Sequence, residues 1–151
     1  MLKRKKSVTI LVAEDDEDDR FLMQEALEEN RLANELHFVE DGEELMDYLY
    51  HQGKYSEPKL APRPSLILLD LNMPRKDGRE ALKEIKSDPN LRQIPIVVLT
   101  TSKAEIVRTY DLGVSSFIAK PVGFTSLVEI IKTLGKYWFD IVELPDKSSH
   151  I

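Results

Sequence analysis

Asp70 ends the apolar run Ser65-Leu66-Ile67-Leu68-Leu69, and Leu71-Asn72-Met73-Pro74 leads out of it into a loop. Three other apolar runs also stop on polar groups. Val8-Thr9-Ile10-Leu11-Val12-Ala13 runs into Glu14-Asp15-Asp16, Ile94-Pro95-Ile96-Val97-Val98-Leu99 into Thr100-Thr101-Ser102, and Ser116-Phe117-Ile118-Ala119 into Lys120-Pro121. Ligands in open α/β sheets gather at the carboxyl ends of the strands. If these runs lie parallel in one sheet, carboxylates, a hydroxyl and an ammonium converge on one edge, a set suited to a phosphoryl group. Glu14, Asp15 and Asp70 offer the hard oxygen donors that Mg²⁺ prefers, with positions left for water and phosphoryl oxygens; Mn²⁺ is able to substitute. Asp70 is the candidate nucleophile, forming an aspartyl phosphate, and Thr100 and Lys120 are candidates to bind the phosphoryl oxygens. Transfer through a loose transition state rests on positioning and electrostatics, so no general base is required.

Positioning those groups requires strands alternating with helices. The apolar runs suit strands covered on both faces, and helical patterns separate them, which implies βαβ units and a parallel sheet. A first helix is expected from Glu17 to Asn30, with Leu22, Met23, Ala26 and Leu27 on one face. A strand is expected from Leu36 to Val39, and Asp41-Gly42 opens a helix carrying Leu45, Met46 and Leu49. His51 to Pro64, with three prolines, reads as a long loop at the amino-terminal edge of the sheet, away from the site. Gly78 begins a helix bearing Ala81, Leu82 and Ile85, which Asp88-Pro89 stops. The acids Asp18 and Asp19 fit a helix amino-terminus, and Asp16 is a further candidate member of the site. His37, His51 and His150 lack metal-ligand spacing.

The ordered set Glu14-Asp15, Asp70 with Asn72 and Met73-Pro74, Asp77-Gly78, Thr100 and Lys120-Pro121 resembles the receiver domains of bacterial two-component response regulators. The resemblance implies a doubly wound α/β fold, a flavodoxin-like (βα)5 unit with a five-stranded parallel sheet in the order 2-1-3-4-5. It implies that Asp70 accepts a phosphoryl group from a histidine kinase, and that the chain then signals by conformational change or passes the group on in a phosphorelay. By the same resemblance, Asp15, Asp70 and the backbone carbonyl of Asn72 are direct Mg²⁺ ligands, Glu14 acts through water, Thr100 and Phe117 are switch positions, and the Lys120-Pro121 bond is cis. One departure is a Thr100 to Lys120 separation of 20 positions, a little shorter than is usual in the family, with the shortfall near Lys103-Ala104-Glu105-Ile106.

The chain has 151 residues, enough for one domain with a sizeable core, and no output domain is expected. The expected layout is a basic arm over 1–7, a receiver domain over 8–138 and an extension over 139–151. The absence of cysteine excludes a disulfide framework and thiol chemistry. With neither a signal peptide nor a membrane-length apolar stretch, the expected location is cytoplasmic, with no membrane partner. A net charge of −6 argues against nucleic acid as a partner, and Lys3-Arg4-Lys5-Lys6 reads as a solvated arm. Leu127, Ile130, Ile131, Leu134, Tyr137 and Trp138 recur at helical spacing, and Phe139, Ile141, Val142 and Leu144 continue the apolar surface. Self-association as a homodimer is favoured over folding back of this extension. The long second loop and the Lys-Tyr-Trp-Phe tail resemble stand-alone regulators paired with cyanobacterial phytochromes, which implies a light-sensing histidine kinase as the partner. An aspartyl-nucleophile phosphatase of the haloacid dehalogenase type needs a second acid two residues beyond the first, where this chain has Asn72. A passive interaction module on the same fold would have lost an acid, the hydroxyl or the lysine, and all are present.

Overall fold

Five short strands form one sheet in the computed structural model: β1 (Thr9–Ala13), β2 (Glu35–Val39), β3 (Leu66–Asp70), β4 (Ile96–Thr100) and β5 (Ser116–Ala119). Their order is β2-β1-β3-β4-β5, and every neighbouring pair is parallel. The structure describes residues 9–29, 35–71, 73, 75–100, 116–119, 129 and 132–133. The side chains of Thr100 and of 116–119 lie outside that description, as do Asn72, Lys120 and the whole of 134–151.

Every residue of β1 and β3 is buried, which explains why these runs are continuously apolar. Side chains alternate between the two faces of a strand, and the core divides accordingly. Ile10, Val12, Leu66, Leu68, Val97 and Leu99 pack with Met23, Ala26 and Leu27 of α1 (Glu17–Glu29). Leu11, Ala13, Ile67, Leu69, Ile96 and Val98 pack with the buried faces of α2 (Gly42–Tyr50) and α3 (Gly78–Ser87). Helices therefore cover both faces, and the doubly wound expectation holds. Each fully buried leucine or isoleucine stabilises this arrangement by roughly 1.5–3 kcal/mol relative to an exposed one.

Carboxylates start each of α1, α2 and α3. Asp16 Oδ1 accepts from the Asp19 N–H at 2.9 Å, Asp41 Oδ1 from Glu44 N–H at 2.8 Å, and Asp77 Oδ1 from Arg79 and Glu80 N–H groups at 2.9 and 3.0 Å. Each satisfies donors that a first helical turn leaves without intrahelical acceptors. Asp16 is thus a cap and not a member of the acidic cluster.

Three details differ from the sequence expectation, the smallest being that β2 begins at Glu35 and not at Leu36. β4 begins at Ile96 and not at Ile94. Pro95 has no N–H to donate to the ladder, although its carbonyl still accepts from Ile67 at 3.0 Å. The segment between α2 and β3 is also more organised than a plain loop. His51 takes a left-handed conformation (φ 56°) that ends α2, and two 3-10 turns follow at Gly53–Tyr55 and Pro58–Leu60. Its second half lies at the expected amino-terminal edge, where Ser65 N–H donates to Thr9 O at 2.8 Å. Its first half turns back along α2, with Tyr55 Oη donating to Glu44 Oε2 at 2.6 Å. Buried Tyr48 stacks edge-on against both His37 and Tyr55 and donates to Pro62 O at 2.8 Å, holding the segment to α2.

Candidate functional site

Register brings the first two acidic positions together. Ala13 pairs with Leu69 in the parallel ladder between β1 and β3, so Glu14 and Asp70 leave adjacent strands at the same level. The two-residue period places them on the α1 face, in line with Val12 and Leu68. Both are buried, with Glu14 1% and Asp70 3% exposed. Asp15 completes the group from an exposed position, and one carboxylate oxygen of each residue lies within 4.8 Å of the others. Among the described residues, this is the one cluster of side chains able to hold a metal ion.

The loops bearing these acids are held by backbone contacts. Glu14 N–H donates to Val39 O at 2.9 Å, and Glu14 Oε2 accepts from Asp16 N–H at 3.2 Å. Arg20 Nη1 donates to the carbonyls of Glu14 (3.0 Å) and Asp15 (2.9 Å), and Nη2 pairs with Glu40 Oε1 at 3.1 Å. After Asp70 the chain turns through Arg75 in the left-handed region (φ 62°), and Gly78 N–H closes the turn on Leu71 O at 3.0 Å. A Cβ on Gly78 would fall 2.6 Å from both Asp70 O and Leu71 Cα. Only glycine allows α3 to start so close to the Asp70 backbone. Gly42 is equally constrained: its N–H donates to Lys76 O at 2.8 Å, and a Cβ there would lie 2.0 Å from that oxygen. Asp41 adds an ion pair with Arg75 at 3.3 Å.

Glu14, Asp15 and Asp70 are therefore brought together as the sequence implies. The backbone of Thr100 ends β4, the strand beside β3, and Asp70 pairs in register with Leu99, one residue before it. Phe117 lies on β5 opposite Val98, and Lys120 follows the last residue of that strand. The expected roles of the Thr100 and Phe117 side chains, of Asn72 and Lys120, and the cis Lys120-Pro121 bond fall outside the described residues. Sequence reasoning missed Arg20 and Arg75, and it took Asp41 as a helix start without its ion pair to Arg75. Their contacts cross between segments, and no local spacing announces them.

A profile of the response regulator receiver domain matches residues 10–132. The chain belongs to that family. Response regulator Rcp1 of Synechocystis sp. (strain ATCC 27184 / PCC 6803 / Kazusa) is 42% identical to this receiver over 138 residues, covering 90% of this chain and 92% of its own length. The receiver is also similar to the crystal structure of the phosphorylated cyanobacterial phytochrome response regulator RcpA, at 44% identity and a TM-score of 0.85, covering 93% of this chain and all of that one. The manganese-bound form of Rcp1 matches at 40% identity and a TM-score of 0.82, covering 92% and 99% of the two chains.

The donor set fits a hard divalent cation. Three carboxylates, two of them buried, offer only oxygen, the donor that Mg²⁺ and Mn²⁺ share. Crowded negative charge of this kind repels itself, and a divalent cation offsets that repulsion. No helix among the described residues is long and apolar enough to cross a membrane.

Proposed function

We propose that this receiver accepts a phosphoryl group on Asp70 from a histidine kinase and signals through the resulting change in its surface. The observation that carries the reading is the buried Asp70 carboxylate at the end of β3, with Glu14 and Asp15 gathered beside it. An Asp70 oxygen attacks the phosphorus of a phosphohistidine, a P–O bond forms as the P–N bond breaks, and the imidazole nitrogen leaves with the bonding pair and is protonated. Glu14, Asp15 and Asp70, with the Asn72 carbonyl, would hold Mg²⁺, or Mn²⁺ in its place. The cation when bound supplies positive charge against the oxygens of the incoming group. Thr100, which ends β4, and Lys120, the next residue in sequence after β5, would bind the phosphoryl oxygens. The receiver thereby promotes its own phosphorylation, and water attack on the acyl phosphate reverses it. Thr100 and Phe117 are the positions through which occupancy would bias two arrangements of the β4–β5 face.

The similarity to RcpA and Rcp1 supports a bacterial phytochrome as the kinase. We assign the protein to the cytoplasm, where such a kinase presents its phosphohistidine, with no membrane or nucleic-acid partner. The domain layout of 1–7, 8–138 and 139–151, and a homodimer formed through the apolar carboxyl-terminal run, belong to the same reading. The test is transfer from an autophosphorylated phytochrome kinase carrying labelled phosphate. Rapid movement of label to the native chain and none to Asp70→Asn supports the reading. Undiminished transfer to Asp70→Asn overturns it.

A further inference from the structure

The β1–α1 turn carries two of the three clustered acids, and one side chain holds two of its carbonyls. Those of Glu14 and Asp15 both accept from one nitrogen of Arg20, at 3.0 and 2.9 Å. The second nitrogen reaches Glu40 on the β2–α2 turn, at 3.1 Å. Arg20 is anchored to the same turn by its own backbone, donating to Asp16 O at 2.9 Å. Its side chain is 19% exposed, against 64% for Glu40, so the guanidinium is a largely enclosed link with one solvent-facing partner. The Glu40 N–H in turn donates to Glu44 Oε1 at 2.8 Å, joining this link to α2.

Two carbonyls fixed by a planar donor define the peptide planes on either side of Asp15, and with them the directions in which the Glu14 and Asp15 side chains leave the backbone. Resting on the cation reading given above, we propose that Arg20 is a positioning residue for the divalent-cation site. It clamps the turn that presents Glu14 and Asp15 to Asp70 and ties that turn to Glu40. Its charge and its geometry act in opposite directions. By Coulomb's law alone a guanidinium near the site repels a second cation, so its removal would tighten metal binding. If the clamp orients the ligands, its removal weakens binding.

The sign of the change tests the proposal. Mn²⁺ is titrated into the full chain, free Mn²⁺ is read by electron paramagnetic resonance, and metal-free thermal unfolding is followed in parallel. Arg20→Ala is expected to weaken Mn²⁺ binding about tenfold, the usual scale for groups that orient metal ligands, while still unfolding cooperatively. Arg20→Lys keeps the charge but lacks the planar fork, and it is expected to lose affinity in the same direction. Its result decides the matter if Arg20→Ala does not fold. Binding by both variants that is equal to native, or tighter, overturns the clamp and leaves the cation site standing. A native chain that binds no Mn²⁺, or binding unaffected by Asp70→Asn, overturns the cation reading and the clamp with it.

Discussion

Asp70 and Glu14 are carboxylates in a place that ordinarily holds leucines. They continue the α1-facing rows of β3 and β1, with only 3% and 1% of their surfaces exposed, and Asp15 adds a third acid within 4.8 Å. Gathering like charges there opposes folding, so the site stores instability that a bound cation relieves. Asp70→Asn is expected to raise the metal-free unfolding temperature and to abolish the further rise expected of the native chain on adding Mg²⁺, both read by calorimetry. A lower unfolding temperature for Asp70→Asn would count against this account. Gly78 acts on the same carboxylate through the backbone, because any Cβ there meets Asp70 O and Leu71 Cα at 2.6 Å. Gly78→Ala is expected to cost about 1–3 kcal/mol in urea unfolding, the scale of overpacking, and to slow labelling of Asp70. The acids and Asp70 were legible in the sequence because each ends an apolar run. Arg20 was not, because two of its acceptors are carbonyls, which sequence does not mark, and the third, Glu40, lies on another turn.

Helix starts and strand ends were legible where a local rule fixes them. Asp41-Gly42 reads as the opening of a helix and Gly78 as the beginning of another, and both helices start there, each capped by the preceding aspartate. The segment from His51 to Pro64 was read only as a loop, because what orders it is tertiary: Tyr48 and Glu44 on α2 reach across to Pro62, Tyr55 and Lys54. Burial acts to raise the pKa of Glu44, but hydrogen bonds from Lys54, Tyr55 and the Glu40 backbone together outweigh it and hold the carboxyl below its ordinary 4.5. A carboxyl depressed on folding contributes stability that is present above its unfolded pKa and lost as pH falls through its folded value. The Glu44 contribution is therefore complete at neutral pH and fades only below about 4.5. Glu44→Gln is expected to destabilise the chain at neutral pH and to narrow its difference from native as acid is added. A difference that stays constant with pH would show that the ionised form plays no part in holding this segment.

On the scale of the whole molecule, the fold is a frame that brings the ends of separate strands to one edge. The sheet order β2-β1-β3-β4-β5 centres β3, so that Asp70 lies between the acidic end of β1 and the Thr100 end of β4. The fold class was legible because buried parallel strands and amphipathic helices carry different periods. The apolar run from Leu127 to Leu144 exceeds what one helix face needs, and its expected use is self-association. Replacing Trp138 and Phe139 with polar residues is expected to shift sedimentation from dimer towards monomer, and an unchanged mass would contradict that use. The central claim is that Asp70 is the phosphoacceptor of a cation-assisted site. Its most direct test is intact mass and site mapping of the purified chain after incubation with a small-molecule phosphodonor, with and without Mg²⁺, beside Asp70→Asn. The account predicts one Mg²⁺-dependent phosphoryl group on Asp70 and none on the variant; an adduct mapped elsewhere, or the variant labelled at the native rate, would contradict it.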